Sequence, residues 1–256
     1  MAAVELLRDI ETMLAAGETA RAVEILCGEW NRDPDNPEIA NAYACACLHA
    51  GRLDEAERVF MVLRESFPDD PQIANNLGYL YMNRREWRRA AELFREALEH
   101  APDDLDIKLN LGIAVSSGGD ALTALRVFGE IIAARPDSVI AHINRGVVLR
   151  RLGRTTEAQT VFRQALALAP NDATAANNLG CLELAEEHFS EAEKYFRLAV
   201  ANGPENPVHC RNLALTLEKK GDLDGARAEF AAIAEKSEDP ALAASAREWL
   251  LKNAQK

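Results

Sequence analysis

Proline recurs at a fixed interval of 34 residues along this 256-residue chain, and this interval restricts the possible folds more than any other feature. The six prolines are Pro34, Pro68, Pro102, Pro136, Pro170 and Pro204. Two further columns keep the interval, and their members are Ala22, Ala56, Ala90, Ala124, Ala158, Ala192 and Ala226, then Phe60, Phe94, Phe128, Phe162, Phe196 and Phe230. Self-similarity at one period indicates a repeat architecture, in which each repeat packs against its neighbours.

Each period carries signals for two helices. A residue that favours the N-cap of a helix follows every proline by two positions: Asn36, Asp70, Asp104, Ser138, Asp172 and Asn206. Glycine marks a turn inside five of the repeats, at Gly17, Gly51, Gly119, Gly153 and Gly221. A column of mostly small residues runs through the first helix: Ile10, Ala44, Gly78, Gly112, Gly146, Gly180 and Ala214. We therefore predict an all-α chain of helical hairpins.

The order Leu77-Gly78-x-x-Tyr81, Ala90-x-x-x-Phe94 and Pro102 resembles the tetratricopeptide repeat pattern. The resemblance covers seven repeats: 3–36, 37–70, 71–104, 105–138, 139–172, 173–206 and 207–240. It implies a right-handed superhelical solenoid of seven 34-residue helix-turn-helix repeats over residues 1–240. We expect residues 241–256 to form a C-terminal capping helix and tail, with Leu242, Ala246, Trp249 and Leu250 facing inward.

Asparagine occupies one place in the first helix of five consecutive repeats, at Asn76, Asn110, Asn144, Asn178 and Asn212. Asparagine does not favour a helix interior, so its recurrence needs a common cause. The resemblance implies that the first helices line a concave groove and that these amides bind the backbone of an extended peptide. Neighbouring residues of this predicted peptide-binding site include Asn75, Tyr79 and Asn177. The alternative is that the amides bond between neighbouring first helices and set the stacking register.

The repeat 139–172 has five arginines against two acids, a balance of +3 in a chain of net charge −12. Arg150 and Arg151 fall near the predicted end of its first helix, where they either meet an acidic ligand or form a solvated face. Arg145 interrupts an apolar column, and Glu183 interrupts another in the next repeat. Because an unpaired charge is costly in a core, we expect an ion pair between Arg145 and Glu183.

Composition narrows the function classes. The net charge of −12 disfavours nucleic acid and anionic lipid as partners, and the sequence has no stretch long and apolar enough for membrane insertion. The five histidines fall at five different phases of the repeat, and no nucleotide-binding or hydrolase motif is present. We therefore expect a cytoplasmic protein without catalytic residues, metal or cofactor.

The sequence predicts a non-catalytic scaffold that binds a protein or peptide partner in the groove. A self-assembling protein, joined as a homo-oligomer through the solenoid ends or the groove, is the alternative. A third hypothesis, an array attached to a catalytic domain, is disfavoured by the predicted caps at both ends.

Overall fold

The computed structural model describes residues 2–253 and contains fifteen helices in that range. Their bounds are α1 Ala2–Ala15, α2 Thr19–Arg32, α3 Pro37–His49, α4 Leu53–Ser66, α5 Pro71–Asn83, α6 Trp87–His100, α7 Leu105–Ser117, α8 Ala121–Ala134, α9 Val139–Arg151, α10 Thr155–Leu168, α11 Ala173–Ala185, α12 Phe189–Asn202, α13 Pro207–Lys220, α14 Leu223–Lys236 and α15 Pro240–Lys252. The described residues contain no strand, so the predicted all-α fold is confirmed.

The chain divides into two compact units, which we call the N-terminal unit (residues 1–127) and the C-terminal unit (residues 128–256). In the N-terminal unit α3 packs on α5 and α5 on α7, while α4 and α6 lie between these first helices in the chain. The C-terminal unit repeats the arrangement with α9, α11 and α13. Within residues 2–253, no helix is both long and apolar enough to cross a lipid bilayer.

The predicted caps begin the first helices at all but one place. Asn36, Asp70, Asp104, Asp172 and Asn206 each accept a hydrogen bond from a backbone N–H in the first turn of the following helix. Ser138 precedes α9 at the same phase, but its side chain makes no capping bond. The repeat therefore keeps the helix start there without the side-chain bond that we predicted.

The turn between the two helices of a repeat requires a left-handed residue. The five predicted turn glycines all have positive φ, between 72° and 93°. In the third and sixth repeats the same place holds Arg85 and Glu187, each with φ of 60°. These two non-glycine residues adopt the turn at a cost of about 1–2 kcal/mol each, because their Cβ atoms crowd the backbone there.

The alanine and phenylalanine columns form the core. The alanines of this column are fully buried, and so are the phenylalanines from Phe60 to Phe196. A Cβ added at Gly78, Gly146 or Gly180 would lie 2.6–2.8 Å from the ring of the phenylalanine sixteen residues later. The glycines at these three places are therefore explained by the rings that press against them, because a larger residue would have to move those rings.

The C-terminal helix α15 packs against α14, as predicted. Ala246 is buried, while Leu242, Trp249 and Leu250 pack against the cluster of Ala214, Phe230 and Ile233. The Trp249 ring stacks on Phe230 with centroids 4.4 Å apart, and its Nε1 donates to Glu218 Oε1 at 2.9 Å. The predicted tail after Asn253 lies outside the described residues.

Candidate functional site

Pairs of asparagines join neighbouring first helices in the N-terminal unit. Asn76 Nδ2 on α5 donates to Asn41 Oδ1 on α3 at 3.0 Å. Asn110 Nδ2 on α7 donates to Asn75 Oδ1 on α5 at the same distance. The donor and acceptor are 35 residues apart in both pairs, so each repeat presents the acceptor for the next.

The C-terminal unit contains one such pair and two exceptions. Asn212 Nδ2 on α13 donates to Asn177 Oδ1 on α11 at 2.8 Å. Asn178 instead donates to Thr174 O of its own helix at 2.9 Å, and Asn144 donates to Ile140 O at the same distance. The residue 35 positions before Asn178 is Ile143, and the one before Asn144 is Leu109, so neither place supplies an amide acceptor.

The two hypotheses for the asparagine column therefore apply to different atoms. The Nδ2 groups of Asn76, Asn110 and Asn212 do bond between neighbouring first helices, which is the register-setting role. The Oδ1 atoms of the five column asparagines accept no hydrogen bond from residues 2–253. An amide oxygen accepts hydrogen bonds readily, so those of the four half-buried asparagines remain able to take an N–H from outside the chain, while Asn178 is only 8% exposed.

Sequence reasoning missed Asn41, the acceptor for Asn76. Its signal was present, because Asn41, Asn75 and Asn177 share one phase, directly before the asparagine column. We define the first-helix face of the N-terminal unit by Asn41, Asn75, Asn76, Tyr79 and Asn110. That of the C-terminal unit comprises Ile140, Asn144, Arg150, Asn177, Asn178, Cys181, Val208, Arg211, Asn212 and Lys219.

In each unit one cysteine lies beside an asparagine of the column as a neutral group. Asn76 Nδ2 lies 3.7 Å from Cys45 Sγ, and Asn212 Nδ2 lies 3.7 Å from Cys181 Sγ. Burial raises the pKa of the Cys45 thiol to about 11 and also raises the pKa of Cys181, against the opposing charge of Arg150. Both thiols are thus protonated at neutral pH, which makes them poor nucleophiles and suits them to packing.

Apolar side chains are exposed on the same face. Tyr79 on α5, Ile140 on α9 and Val208 on α13 are all exposed although they are large and hydrophobic. Val208 lies one helical turn before Arg211 and Asn212, and Tyr79 one turn after Asn75 and Asn76. The face therefore alternates amides with apolar contact area.

Cations are concentrated on the first-helix face of the C-terminal unit. Arg150 is exposed in the last turn of α9, close enough to α11 for its charge to act on Cys181. Arg211 and Lys219 are exposed on α13, and neither they nor Arg150 form an ion pair within residues 2–253. Arg151, the other predicted contact, is also exposed. The phases of Arg150, Arg211 and Lys219 hold no lysine or arginine on α3 and α5.

The predicted ion pair between Arg145 and Glu183 is wrong. Glu183 is buried and its two oxygens hydrogen-bond instead to Arg163 Nη2 and His188 Nδ1, each at 3.0 Å. Arg145 is half-buried on α9, and its Nε is buried without a hydrogen-bond partner. The prediction failed because both carboxylate oxygens of Glu183 are taken by Arg163, on the neighbouring α10, and by His188, in the following turn.

Comparisons with known proteins agree with the repeat architecture. Family models described as tetratricopeptide repeat match residues 13–77, 71–104, 137–205 and 177–241. A tetratricopeptide repeat protein from Parabacteroides merdae superimposes with a TM-score of 0.75 at 14% identity, over 96% of this chain and 98% of that chain. No curated protein matches the sequence.

Two other solved structures are similar at the level of the fold. PilW, described as a widely conserved type IV pilus biogenesis factor, has a TM-score of 0.72 at 17% identity, over 82% of this chain and 97% of that chain. A chain of the APC/C hetero-tetramer Cut9–Hcn1 has a TM-score of 0.73 at 17% identity, over 94% of this chain and 48% of that chain. At these identities the likeness concerns the solenoid fold.

Proposed function

The chain belongs to the tetratricopeptide repeat family, and on that basis we propose that it is a non-catalytic scaffold whose two units each bind an extended segment of a partner protein on their first-helix face. The observation that carries this proposal is the set of asparagine Oδ1 atoms without an internal donor. An extended peptide has unpaired backbone N–H groups, which these oxygens complement.

The amide pairs support the proposal by positioning the acceptors. Because Asn110 Nδ2 is held by Asn75, and Asn212 Nδ2 by Asn177, the free oxygens are fixed before any ligand arrives. A fixed acceptor loses less rotational freedom on binding than a mobile one. The exposed Tyr79, Ile140 and Val208 add apolar contact area beside the amides. Hydrogen bonds to the peptide backbone alone would not provide this area.

We further propose that the segment bound by the C-terminal unit carries acidic side chains. Arg150, Arg211 and Lys219 lie on its first-helix face with no acid paired to them in the described chain. Glu218, the acid directly before Lys219 in the sequence, accepts a hydrogen bond from the indole N–H of Trp249. Complementary charge across an interface raises association rates and selects among partners.

The test is capture of partners from the native lysate by the tagged chain, with recovery measured by mass spectrometry. The Asn144→Ala/Asn178→Ala variant removes two amides that bond only to carbonyls of their own helices, so the contacts between first helices remain. Asn202→Ala is the matched control, because Asn202 makes the same type of bond, to Leu198 O at 2.8 Å, on the second helix α12.

We expect the double variant to lose partner recovery by about tenfold or more, and Asn202→Ala to keep it, since about 1.4 kcal/mol of binding energy corresponds to a factor of ten. In the same assay, Arg150→Glu/Arg211→Glu should lose acidic partners, while Lys194→Glu on α12 should retain them. Equal recovery by all variants would refute the groove model.

Self-association is the alternative function, and exposed apolar residues on the terminal helices favour it. Val4 on α1 and Leu251 on α15 are both largely exposed. Exposed apolar side chains at the ends of an array can join one copy to the next. A sedimentation coefficient that rises with protein concentration, and that falls back in a Val4→Lys or Leu251→Lys variant, would favour self-assembly over partner binding.

A further inference from the structure

The sixth repeat carries a buried carboxylate that the proposed binding face does not use. Glu183 on α11 has a side chain that is 7% exposed. The corresponding places of the other repeats hold Met13, Cys47, Tyr81, Val115, Leu149 and Leu217. A carboxylate in an otherwise apolar column is costly to bury, so its presence calls for a specific set of partners.

Three metal-ligating atoms converge at this carboxylate. Glu183 Oε2 lies 3.0 Å from His188 Nδ1, and Glu186 Oε2 lies 3.7 Å from the same nitrogen. All three ligand atoms are within 4.8 Å of one another. Two ligands about 2.1 Å from one metal ion stand about 3.0 Å apart at a right angle and about 3.4 Å apart in a tetrahedron, so the 3.0 Å and 3.7 Å spacings are close to those around a shared ion.

The turn between α11 and α12 holds these residues together through its backbone. His188 N donates to Glu183 O at 2.9 Å, which fixes the start of α12 against the last turn of α11. Other repeats make the same turn, but only the sixth has a carboxylate, imidazole or thiol at all three places. The corresponding triplets elsewhere include Tyr81, Arg84 and Glu86 in the third repeat, and Leu217, Lys220 and Asp222 in the seventh.

Side chains from α10 support two of the three ligands. Arg163 Nη2 donates to Glu183 Oε1 at 3.0 Å, which is not the oxygen bonded to His188. Gln159, which is buried, donates its Nε2 to Glu186 Oε2 at 2.9 Å. Such outer partners orient the ligands of metal sites, and their loss weakens metal affinity. His188 is exposed, so an ion can enter from solvent and keep water ligands.

We propose that Glu183, Glu186 and His188 form a binding site for one divalent transition-metal ion. The ion binds Glu183 Oε2, Glu186 Oε2 and Nδ1 of His188, which must first lose its proton. An imidazolium releases that proton to solvent, and a neutral ring exchanges it for one taken up at Nε2, so the bound ring is neutral with its proton on Nε2. One imidazole and two carboxylates suit Zn²⁺, Co²⁺ and Mn²⁺, whereas Mg²⁺ and Ca²⁺ prefer oxygen ligands alone. The bound ion ties the end of α11 to the start of α12.

The test is calorimetric titration of the full chain, stripped with chelator, with Zn²⁺ and separately with Mg²⁺. Three variants accompany the wild type: His188→Ala and Glu186→Gln at exposed ligands, and His100→Ala as the control. His100 is also exposed and faces one acid, with Nε2 3.8 Å from Asp69 Oδ1. Circular dichroism checks that each variant is folded. The same titration with Co²⁺ reports thiolate ligation through a charge-transfer band, since the chain has five cysteines.

We expect one Zn²⁺ per chain, no Mg²⁺ binding at the same concentrations, and no thiolate band with Co²⁺. His188→Ala and Glu186→Gln should each lose at least about tenfold in affinity, as ligand removal does, while His100→Ala should match the wild type. The proposal is overturned if the wild type binds no Zn²⁺, if both ligand variants keep its affinity, or if the thiolate band appears. None of these results depends on whether the first-helix face binds a partner.

Discussion

Gly78 lies where a methyl group would collide with the ring of Phe94. An added Cβ would stand 2.7 Å from Phe94 Cε1, in a part of the core where both residues are buried. The ring has no room to retreat, because Phe94 is fully enclosed. In the third, fifth and sixth repeats the packing thus depends on a glycine without a methyl group facing one large ring.

The Gly78→Ala variant should therefore be less stable than the wild type by about 1–3 kcal/mol, the usual cost of overpacking. Gly28→Ala is the control, because a Cβ at Gly28, inside α2, meets nothing within 4 Å. That change should stabilise the chain by about 0.5–1 kcal/mol, since alanine favours a helix more than glycine does. Urea unfolding curves measure both, and equal effects in the two variants would contradict the packing explanation.

The repeat columns predict some of the contacts between side chains but not all of them. The asparagine column, Tyr79 and Arg150 are predicted as binding residues from the sequence alone. The partners of Glu183 are not, because the two interrupted columns suggest Arg145, whereas Arg163 and His188 bond to Glu183 in the fold. Columns predict which residues share a phase, but the reach of an arginine depends on rotamers that no repeat period fixes.

The turns show the same limit for elements. Five turns followed from glycine, whereas those at Arg85 and Glu187 have no sequence signal of their own and follow only from their place in the period. Ser138 carries the signal for a cap and makes no capping bond. Tertiary packing of the hairpins thus sets where each helix begins and ends. The local sequence signals agree with these bounds at most places, but not at Ser138, Arg85 and Glu187.

Replacing Arg85 by glycine should stabilise the hairpin of α5 and α6. Arg85 has φ of 60°, which glycine adopts without a steric cost. We expect a gain of up to about 1 kcal/mol, because the relief of strain exceeds the extra entropy of glycine in the unfolded chain. Gly51→Ala, at φ of 72° with open space around it, should lose a similar amount. Thermal unfolding measures both, and a destabilised Arg85→Gly variant would contradict this account.

The ion pair between Glu193 on α12 and Lys220 on α13 should stabilise the fold less as the pH becomes acidic. Glu193 Oε2 accepts from Lys220 Nζ at 2.6 Å and Oε1 from Arg197 Nε at 2.8 Å. The bond from Lys220 lowers the pKa of Glu193 below its usual 4.5; burial opposes this, and Arg197 adds to it. A carboxyl group whose pKa is lowered by folding stabilises the folded state above its unfolded pKa, and this contribution is lost as the pH falls through the folded value.

Glu193→Gln should therefore show a smaller fall in Tm than the wild type between pH 4.5 and lower pH. Glu248→Gln on α15 is the control, because Glu248 forms no ion pair within residues 2–253. Its Tm should follow the wild-type pH dependence. Identical pH profiles for all three proteins would show that the Lys220 and Arg197 contacts contribute nothing to stability.

Over the whole molecule, charge differs between the two units. The N-terminal unit has 13 basic against 23 acidic residues, a balance of −10, and the C-terminal unit has 16 against 18, a balance of −2. The chain is acidic overall, yet the unpaired cations of the C-terminal unit include three on its first-helix face. A segment bound by the C-terminal unit should therefore carry more acidic side chains than one bound by the N-terminal unit.

A partner protein should contact the first helix of each repeat and not the second. Val208 on α13 and Leu168 on α10, both in the C-terminal unit, are each 43% exposed. A photo-cross-linking amino acid that replaces either residue would therefore be equally accessible. We predict that a cross-linker at Val208 joins the chain to a partner in cells, that one at Leu168 does not, and that Asn144→Ala/Asn178→Ala abolishes the Val208 product. Cross-links formed equally from Val208 and Leu168, or from Leu168 alone, would contradict the claim.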